Sequence, residues 1–254
     1  MPEANPTESR GTSERPLAGK IALVTGAAKR IGRAIALQLA ASGADVAITY
    51  RGSQSEAEDT VRDLASLGVD ALAVRTDLAD PLNIREMVAA VVEEFGRLDI
   101  LVNNAGVGVF KPLVGFDREN FEAVFATNVT GAMLMAREAA KHFIARQRGN
   151  IVNIASTAAL RGAPNGTAYY ASKFALRGMT ECWRAELRRH NIRVFLINPS
   201  EVLTNFSATA GLAQKENPTK LRAEDIAYIV KAALEMDDRG FTPELSVFAT
   251  NPQD

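Results

Sequence analysis

The chain of 254 residues contains a single cysteine, Cys182. An intrachain disulfide and a cysteine-ligated zinc are thereby excluded. Cys182 stands beside Trp183 in an apolar helical stretch, where a small buried side chain is expected rather than a nucleophile. Histidine is nearly as scarce. His142 and His190 each adjoin basic residues near the expected end of a helix, where a cation suits the helix dipole. A metal site and a Ser-His-Asp triad lack their parts, and neither is expected. An excess of one charge is also missing: 29 Lys and Arg against 30 Asp and Glu leave a net charge of -1. With the two signs interspersed, nothing points to a nucleic-acid or membrane partner. No apolar run reaches the roughly 20 residues of a membrane span, and the first residues lack the hydrophobic core of a signal peptide. A cytoplasmic location is the expectation.

What the chain does have is a regular alternation. Residues 1–17, rich in Pro, Glu, Ser and Thr, read as a disordered tail. From Lys20 onward short apolar runs at 21–25, 45–50, 71–75, 99–102, 150–154, 193–197 and 244–248 alternate with helical stretches, among them 31–42, 118–146 and 168–190. Strands that are apolar throughout, each followed by a helix, predict an α/β fold with a doubly wound, seven-stranded parallel sheet covered on both faces. The 47% hydrophobic content supports a core of that size, and no linker breaks residues 18–254, so one domain is expected. The polar, small-residue stretch 204–220 interrupts the pattern and reads as a lid over the carboxyl ends of the strands.

The first strand runs into Thr25-Gly26-Ala27-Ala28-Lys29-Arg30-Ile31-Gly32. Gly26 permits a tight turn, Gly32 lets the helix pack closely on the sheet, and the free N–H groups of the helix start point at an anion. By itself this motif is also that of a plain strand-to-helix turn. An NAD binder would place an acid at the end of the second strand, but Tyr50-Arg51-Gly52-Ser53 stands there. Arg51 and Lys29 are placed to meet a 2'-phosphate through charge-assisted hydrogen bonds worth about 1.5–3 kcal/mol each. Per contact that favours NADP(H) over NAD(H) by roughly ten- to a hundredfold. Two solvated surface bases are the alternative.

Tyr169 and Lys173 are four residues apart on the last long helix and share one face, whereas four residues on from Tyr170 stands Phe174. A phenol near its reference pKa of about 10 is a poor base at neutral pH. An ammonium about 4 Å away, at an effective dielectric near 20, stabilises the phenolate by roughly 4 kcal/mol, or about three pKa units. The expectation is that Lys173 brings Tyr169 close to neutral, ready to exchange a proton with a carbonyl or alcohol oxygen.

Together these residues resemble the short-chain dehydrogenase/reductase family over about 18–250. The resemblance rests on Thr25-Gly26 to Gly32, Asn103-Asn104-Ala105-Gly106, Asn128, Ser156, Tyr169-x-x-x-Lys173 and Pro199 to Thr204. It implies a Rossmann fold and hydride transfer between NADP(H) and a carbonyl or alcohol carbon. It also implies Tyr169 as acid or base, Lys173 lowering its pKa and holding the nicotinamide ribose, and Ser156 orienting the substrate oxygen. Asn128 would anchor a water in a proton relay to the lysine. Phe121, Val124, Phe125, Asn128 and Ala132 fall on one helical face, so its amide sits on an apolar stripe, where an amide without partners is costly. Asp77 and Leu78 would flank the adenine, Asn104 and Ala105 the nicotinamide-side ribose, with Gly106 closing that turn. Pro199, Val202 and Thr204 would position the carboxamide.

Two positions depart from the family pattern. Arg30 stands where its middle glycine is usual, a variant resembling pteridine reductases and some oxoacyl reductases, and can reach the pyrophosphate or an anionic substrate. Ser200 replaces the glycine after Pro199. The substrate pocket is expected at Val107 to Phe110, Ala158 to Arg161 and around Phe206 and Leu212, mostly apolar. A 3-oxoacyl thioester and a small ketone are both credible substrates. Arg146, Arg148, Arg188, Arg189 and Arg193 are a candidate basic surface for acyl carrier protein. Phe143, Met133, Met179 and Trp183 are expected to pair with their copies in a homodimer or homotetramer. A non-catalytic NADP(H) sensor is the alternative, against which the set Asn128, Ser156, Tyr169 and Lys173 argues.

Overall fold

The computed structural model describes residues 15–204 and 219–251. Seven strands form one sheet: β1 (Ile21–Val24), β2 (Asp45–Tyr50), β3 (Ala71–Arg75), β4 (Ile100–Asn103), β5 (Gly149–Ile154), β6 (Ile192–Pro199) and β7 (Glu244–Val247). Their order is β3-β2-β1-β4-β5-β6-β7 and every pairing is parallel. Parallel neighbours need a crossover, and helices supply it: α1 (Arg30–Ala41), α2 (Gln54–Ser66), α3 (Pro81–Phe95), α4 (Arg118–Phe125), α5 (Ala132–Arg146), α6 (Thr167–Leu187) and α7 (Ala223–Glu235). One apolar layer joins α1 and α7 to one sheet face through Ile35, Leu39, Ile48, Phe195 and Val230. The other joins α3 and α5 to the opposite face through Leu23, Met87, Leu101, Met135 and Phe143. The chain reverses its direction across the sheet between β1 and β4, which opens a crevice at their carboxyl ends.

Several expectations change in detail. Leu17 is buried in the core and its N–H donates to the Ser42 carbonyl at 2.8 Å, so the ordered chain begins before residue 18, while residues 1–14 lie outside the described residues. The helix expected over 118–146 is two helices joined by a π-helical turn, Ala126–Gly131. The extra residue of that turn shifts the apolar stripe: Val124, Asn128 and Ala132 are buried, but Phe121 is exposed and stacks on Phe125 at 4.6 Å. Cys182 is exposed, because α6 turns Leu176, Thr180 and Leu187 inward instead. Phe143 is fully buried within its own chain and cannot face a second copy. Most of the expected lid, residues 205–218, lies outside the described residues, Phe206 and Leu212 included. The chain on either side of it is joined by a Val202–Leu221 bridge, a Leu203 N–H bond to the Leu221 carbonyl at 2.7 Å and a Lys220–Glu201 ion pair at 2.7 Å.

Candidate active site

The carboxyl ends of the strands enclose a cavity of about 640 Å³, the size of an organic-ligand site. At its nucleotide end the Gly-rich turn is built to bring backbone close. Gly26 has φ +63°, and a Cβ there would meet Ala105 at 3.0 Å. A Cβ on Gly32 would stand 2.5 Å from Asn104 Nδ2 and 2.7 Å from the Gly26 carbonyl oxygen. Thr25 locks the turn to the strand end of β4: its Oγ1 accepts from the N–H groups of Asn104 and Ala105, both at 3.0 Å. The Asn104 amide donates to the Thr25 carbonyl at 2.9 Å, so this side chain holds the turn that the ribose would face. Thr25 is a positioning residue that its place in the motif concealed.

Arg30 has φ +59°, the left-handed backbone that a glycine adopts without cost. Arginine thus takes at this position a backbone conformation that glycine also adopts. It lines the cavity beside Lys29 and Ile31, and burial lowers its pKa below the usual arginine value. No side chain caps α1 or α2, whereas Asp80 and Asp117 cap α3 and α4, which begin away from the cavity. A helix start without a side-chain cap suits an anion.

Lys29 is less available than expected. Its ammonium lies 3.3 Å from Glu56 Oε1, an exposed pair. Arg51 is exposed at the mouth, and its carbonyl oxygen accepts a hydrogen bond from Arg75 Nε at 3.2 Å, which brings a second arginine beside it. Arg75 went unnoticed because its only link to Arg51 is the register of β3 on β2, Tyr50 opposite Arg75. Asp77 and Leu78 also line this end.

At the other end Ser156, Tyr169 and Lys173 converge with Pro199, Val202 and Thr204. Lys173 is buried, and its Nζ donates to the Ile154 carbonyl at 3.1 Å and lies 5.7 Å from the centre of the Tyr169 ring. A Cβ on Gly106 would stand 3.6 Å from that Nζ and 3.4 Å from Asn128 Oδ1, so the three groups share one corner. Asn128 does not line the cavity. Its Oδ1 accepts from Val107 N–H at 2.8 Å, and its Nδ2 donates to the Val107 carbonyl at 2.8 Å and to Ser172 Oγ at 3.0 Å. Protein groups thus satisfy the amide, and it holds the Val107 loop of the cavity wall against α6.

The expected near-neutral phenol does not occur in this arrangement. Burial pushes the Tyr169 phenol up to about 12, although a hydrogen bond with Ser156 opposes the rise. Burial likewise brings the Lys173 ammonium down to about 8. Desolvation, the largest cause for each group, penalises both ionised forms. At neutral pH Tyr169 is a phenol with a proton to give, and Lys173 is a cation placed to stabilise what remains. Ser200 is not left-handed, so the loop after β6 needs no glycine there, and its N–H donates to the Val247 carbonyl at 2.8 Å.

The five arginines of the candidate basic surface divide: Arg188 and Arg189 are exposed, and the other three are held by neighbouring groups. Arg193 is buried, bonding the carbonyls of Leu234 and Met236 at the end of α7. Arg146 bonds Asp99 and Arg148 pairs with Asp238. All five arginines lie at or just before the amino ends of β5 and β6, opposite the cavity.

A nucleotide-accepting crevice joined to a Ser-Tyr-Lys cluster defines a dehydrogenase-type oxidoreductase. A short chain dehydrogenase family model matches residues 20–215. The chain belongs to that family. It is 41% identical over 187 residues to a hydroxynaphthalene reductase of Aspergillus fumigatus, covering 74% of this chain and 68% of the relative. It is 35% identical over 188 residues to a 3-oxoacyl-acyl-carrier-protein reductase of Staphylococcus aureus, covering 74% and 76%. A short chain dehydrogenase from Burkholderia cenocepacia, solved in complex with NADP, superposes with a TM-score of 0.82 at 34% identity, covering 92% of this chain and 98% of that one. Among the described residues no three side chains could hold a metal ion, and no helix is long and apolar enough to cross a membrane.

Proposed function

We propose that this protein is an NADP(H)-dependent reductase that converts a ketone to a secondary alcohol. The observation that carries the reading is the Tyr169–Ser156 hydrogen bond with the Lys173 ammonium beside it, at the inner end of a crevice whose outer end is basic. Three features support a dinucleotide ligand: Gly26 and Gly32 leave no room for a Cβ, α1 and α2 start without side-chain caps, and Arg30 and Arg51 supply cations for phosphates. The nicotinamide supplies a hydride when bound. Ser156 donates a hydrogen bond to the substrate oxygen and fixes it beside Tyr169. Tyr169 gives that oxygen its proton as negative charge develops there, and Lys173 stabilises the phenolate left behind.

A small ketone is favoured over a carrier-bound thioester because Arg146, Arg148 and Arg193 are engaged or buried, and all five candidate docking arginines lie at the end of the sheet opposite the cavity. Self-association is part of the proposal, through the exposed Phe121 of α4 and Phe174 of α6, which sedimentation would test. The activity is tested by NADPH oxidation at 340 nm, with NADH in parallel, against 3-oxoacyl thioesters, diketones, aldehydes, cyclic ketones and sugars. Turnover of a ketone with NADPH is the expected result. Faster turnover with NADH would contradict the role of Arg51, and NADPH binding without turnover of any carbonyl would contradict the reductase reading.

A further inference from the structure

Three aromatic rings surround the point where the substrate carbonyl would sit. Phe110 and Tyr169 are 5.4 Å apart between ring centres and tilted by 48°. Tyr169 and Tyr170 meet edge to face at 6.1 Å. All three line the cavity and are half-buried.

The local chain is shaped to hold them. The Tyr170 ring lies against the bare backbone of Gly166, where a Cβ would stand 2.3 Å from two of its ring carbons and 3.6 Å from Phe110 Cδ1. Tyr170 N–H donates to the Gly166 carbonyl at 2.9 Å. The preceding residue, Asn165, takes the left-handed backbone at φ +64°, which asparagine adopts more readily than most residues with a side chain. In that conformation its carbonyl accepts from Lys111 N–H at 2.8 Å, which ties the loop carrying Phe110 to the start of α6. Lys111 in turn pairs with Asp117 at 2.9 Å. Phe110 and Tyr170 are thus fixed relative to each other before any substrate arrives.

Charge narrows the class of ligand. The cavity's cations Lys29, Arg30 and Arg51 come from the Gly-rich turn and the end of β2, and Lys173 sits beside Tyr169. Among the described residues, the only other charged groups on its wall are the carboxylates Asp77 and Glu201. Among the described residues that line the cavity, a substrate carboxylate or phosphate would find no cation beyond Lys173 at this end. Rings have a negative face and a positive edge, so they attract another π system at about 4.5–7 Å more than a saturated group of equal size.

We infer that Phe110 and Tyr170 make this end of the cavity a π-walled slot, and that its substrate is a neutral, planar ketone fused to or conjugated with an aromatic ring. The inference rests on the reductase reading of the same site. Tyr170 is then a specificity residue beside the catalytic Tyr169.

The test compares 2-tetralone with 2-decalone, which share one bicyclic carbon skeleton and differ in whether the second ring is aromatic. With NADPH saturating, the KM of the wild-type protein for 2-tetralone is expected to be about five- to tenfold lower than for 2-decalone. Tyr170→Leu, which keeps apolar bulk, is expected to bring that ratio close to one, and Tyr170→Phe to restore it. A wild-type ratio near one, or an undiminished ratio in Tyr170→Leu, would overturn the slot while leaving the reductase reading intact. If neither ketone is reduced, the carbonyl panel above decides the reductase reading, and calorimetric titration of 2-naphthol into the NADPH-loaded protein decides the slot. Binding that weakens about fivefold in Tyr170→Leu and recovers in Tyr170→Phe supports it, whereas equal binding by wild type and Tyr170→Leu, or no binding, overturns it.

Discussion

Replacing Arg30 by glycine removes a strained backbone and a cation together, and the two changes act in opposite directions. At φ +59° Arg30 holds the left-handed conformation, which costs a residue with a Cβ about 1–2 kcal/mol. Glycine takes that backbone freely, but its greater freedom in the unfolded chain returns about 0.5–1 kcal/mol. The net effect on the protein without cofactor is a stabilisation of about 0.5–1 kcal/mol, or roughly 1–4 °C in melting temperature for a chain of this size. Loss of the cation removes one charge-assisted hydrogen bond to a phosphate, worth about 1.5–3 kcal/mol, so the NADPH Kd should rise roughly ten- to a hundredfold. Scanning calorimetry reads the first effect and fluorescence titration of NADPH the second. A melting temperature lower by several degrees with an unchanged Kd would refute the reasoning, because Arg30 would then serve the fold rather than the ligand.

Three further outcomes are expected. Arg51→Ala should weaken NADPH binding about tenfold or more while changing NADH binding less than about twofold, measured by parallel titrations. Reduction should be level from about pH 6 to 7.5 and fall with a one-proton midpoint near 8, because Lys173, brought down to about 8 by burial, loses its charge there while Tyr169 stays protonated; a rate that climbs above pH 8 would contradict this assignment. Asp99 is buried, and although burial pushes its carboxyl up, bonds from Arg97 and the Ile21 N–H and the charge of Arg146 hold it below the usual range. Asp99→Asn should therefore cost about 2 kcal/mol in urea unfolding, and a change under about 0.5 kcal/mol would show that the cluster contributes little.

The strands were legible because a parallel sheet covered on both faces needs continuous apolar runs, and each such run in the chain became a strand. Boundaries moved by a residue or two where polar ends joined the ladder, as Asn103 does in β4 and Pro199 in β6. The π turn at 126–131 left no mark in the pattern, since one extra residue in a helix changes which side chains face inward without changing their kind. Leu17 is a lone apolar residue at the end of a polar stretch, too little signal to place it in the core. The Lys29–Glu56 pair joins residues that only the packing of α2 beside the Gly-rich turn brings together. The acidity of Tyr169 is hidden for a related reason: the spacing to Lys173 shows that the two share a face, but desolvation depends on how deeply that face of α6 is buried.

The account stands or falls on the Tyr169 hydroxyl as the proton donor. Tyr169→Phe keeps the ring that packs against Phe110 and removes the one oxygen in question. Steady-state NADPH oxidation with the best ketone, alongside NADPH titration, measures both halves of the claim. The predicted result is a loss of about 10² to 10⁴ in kcat/KM with NADPH binding within about twofold of wild type. Turnover that persists undiminished in Tyr169→Phe would contradict it.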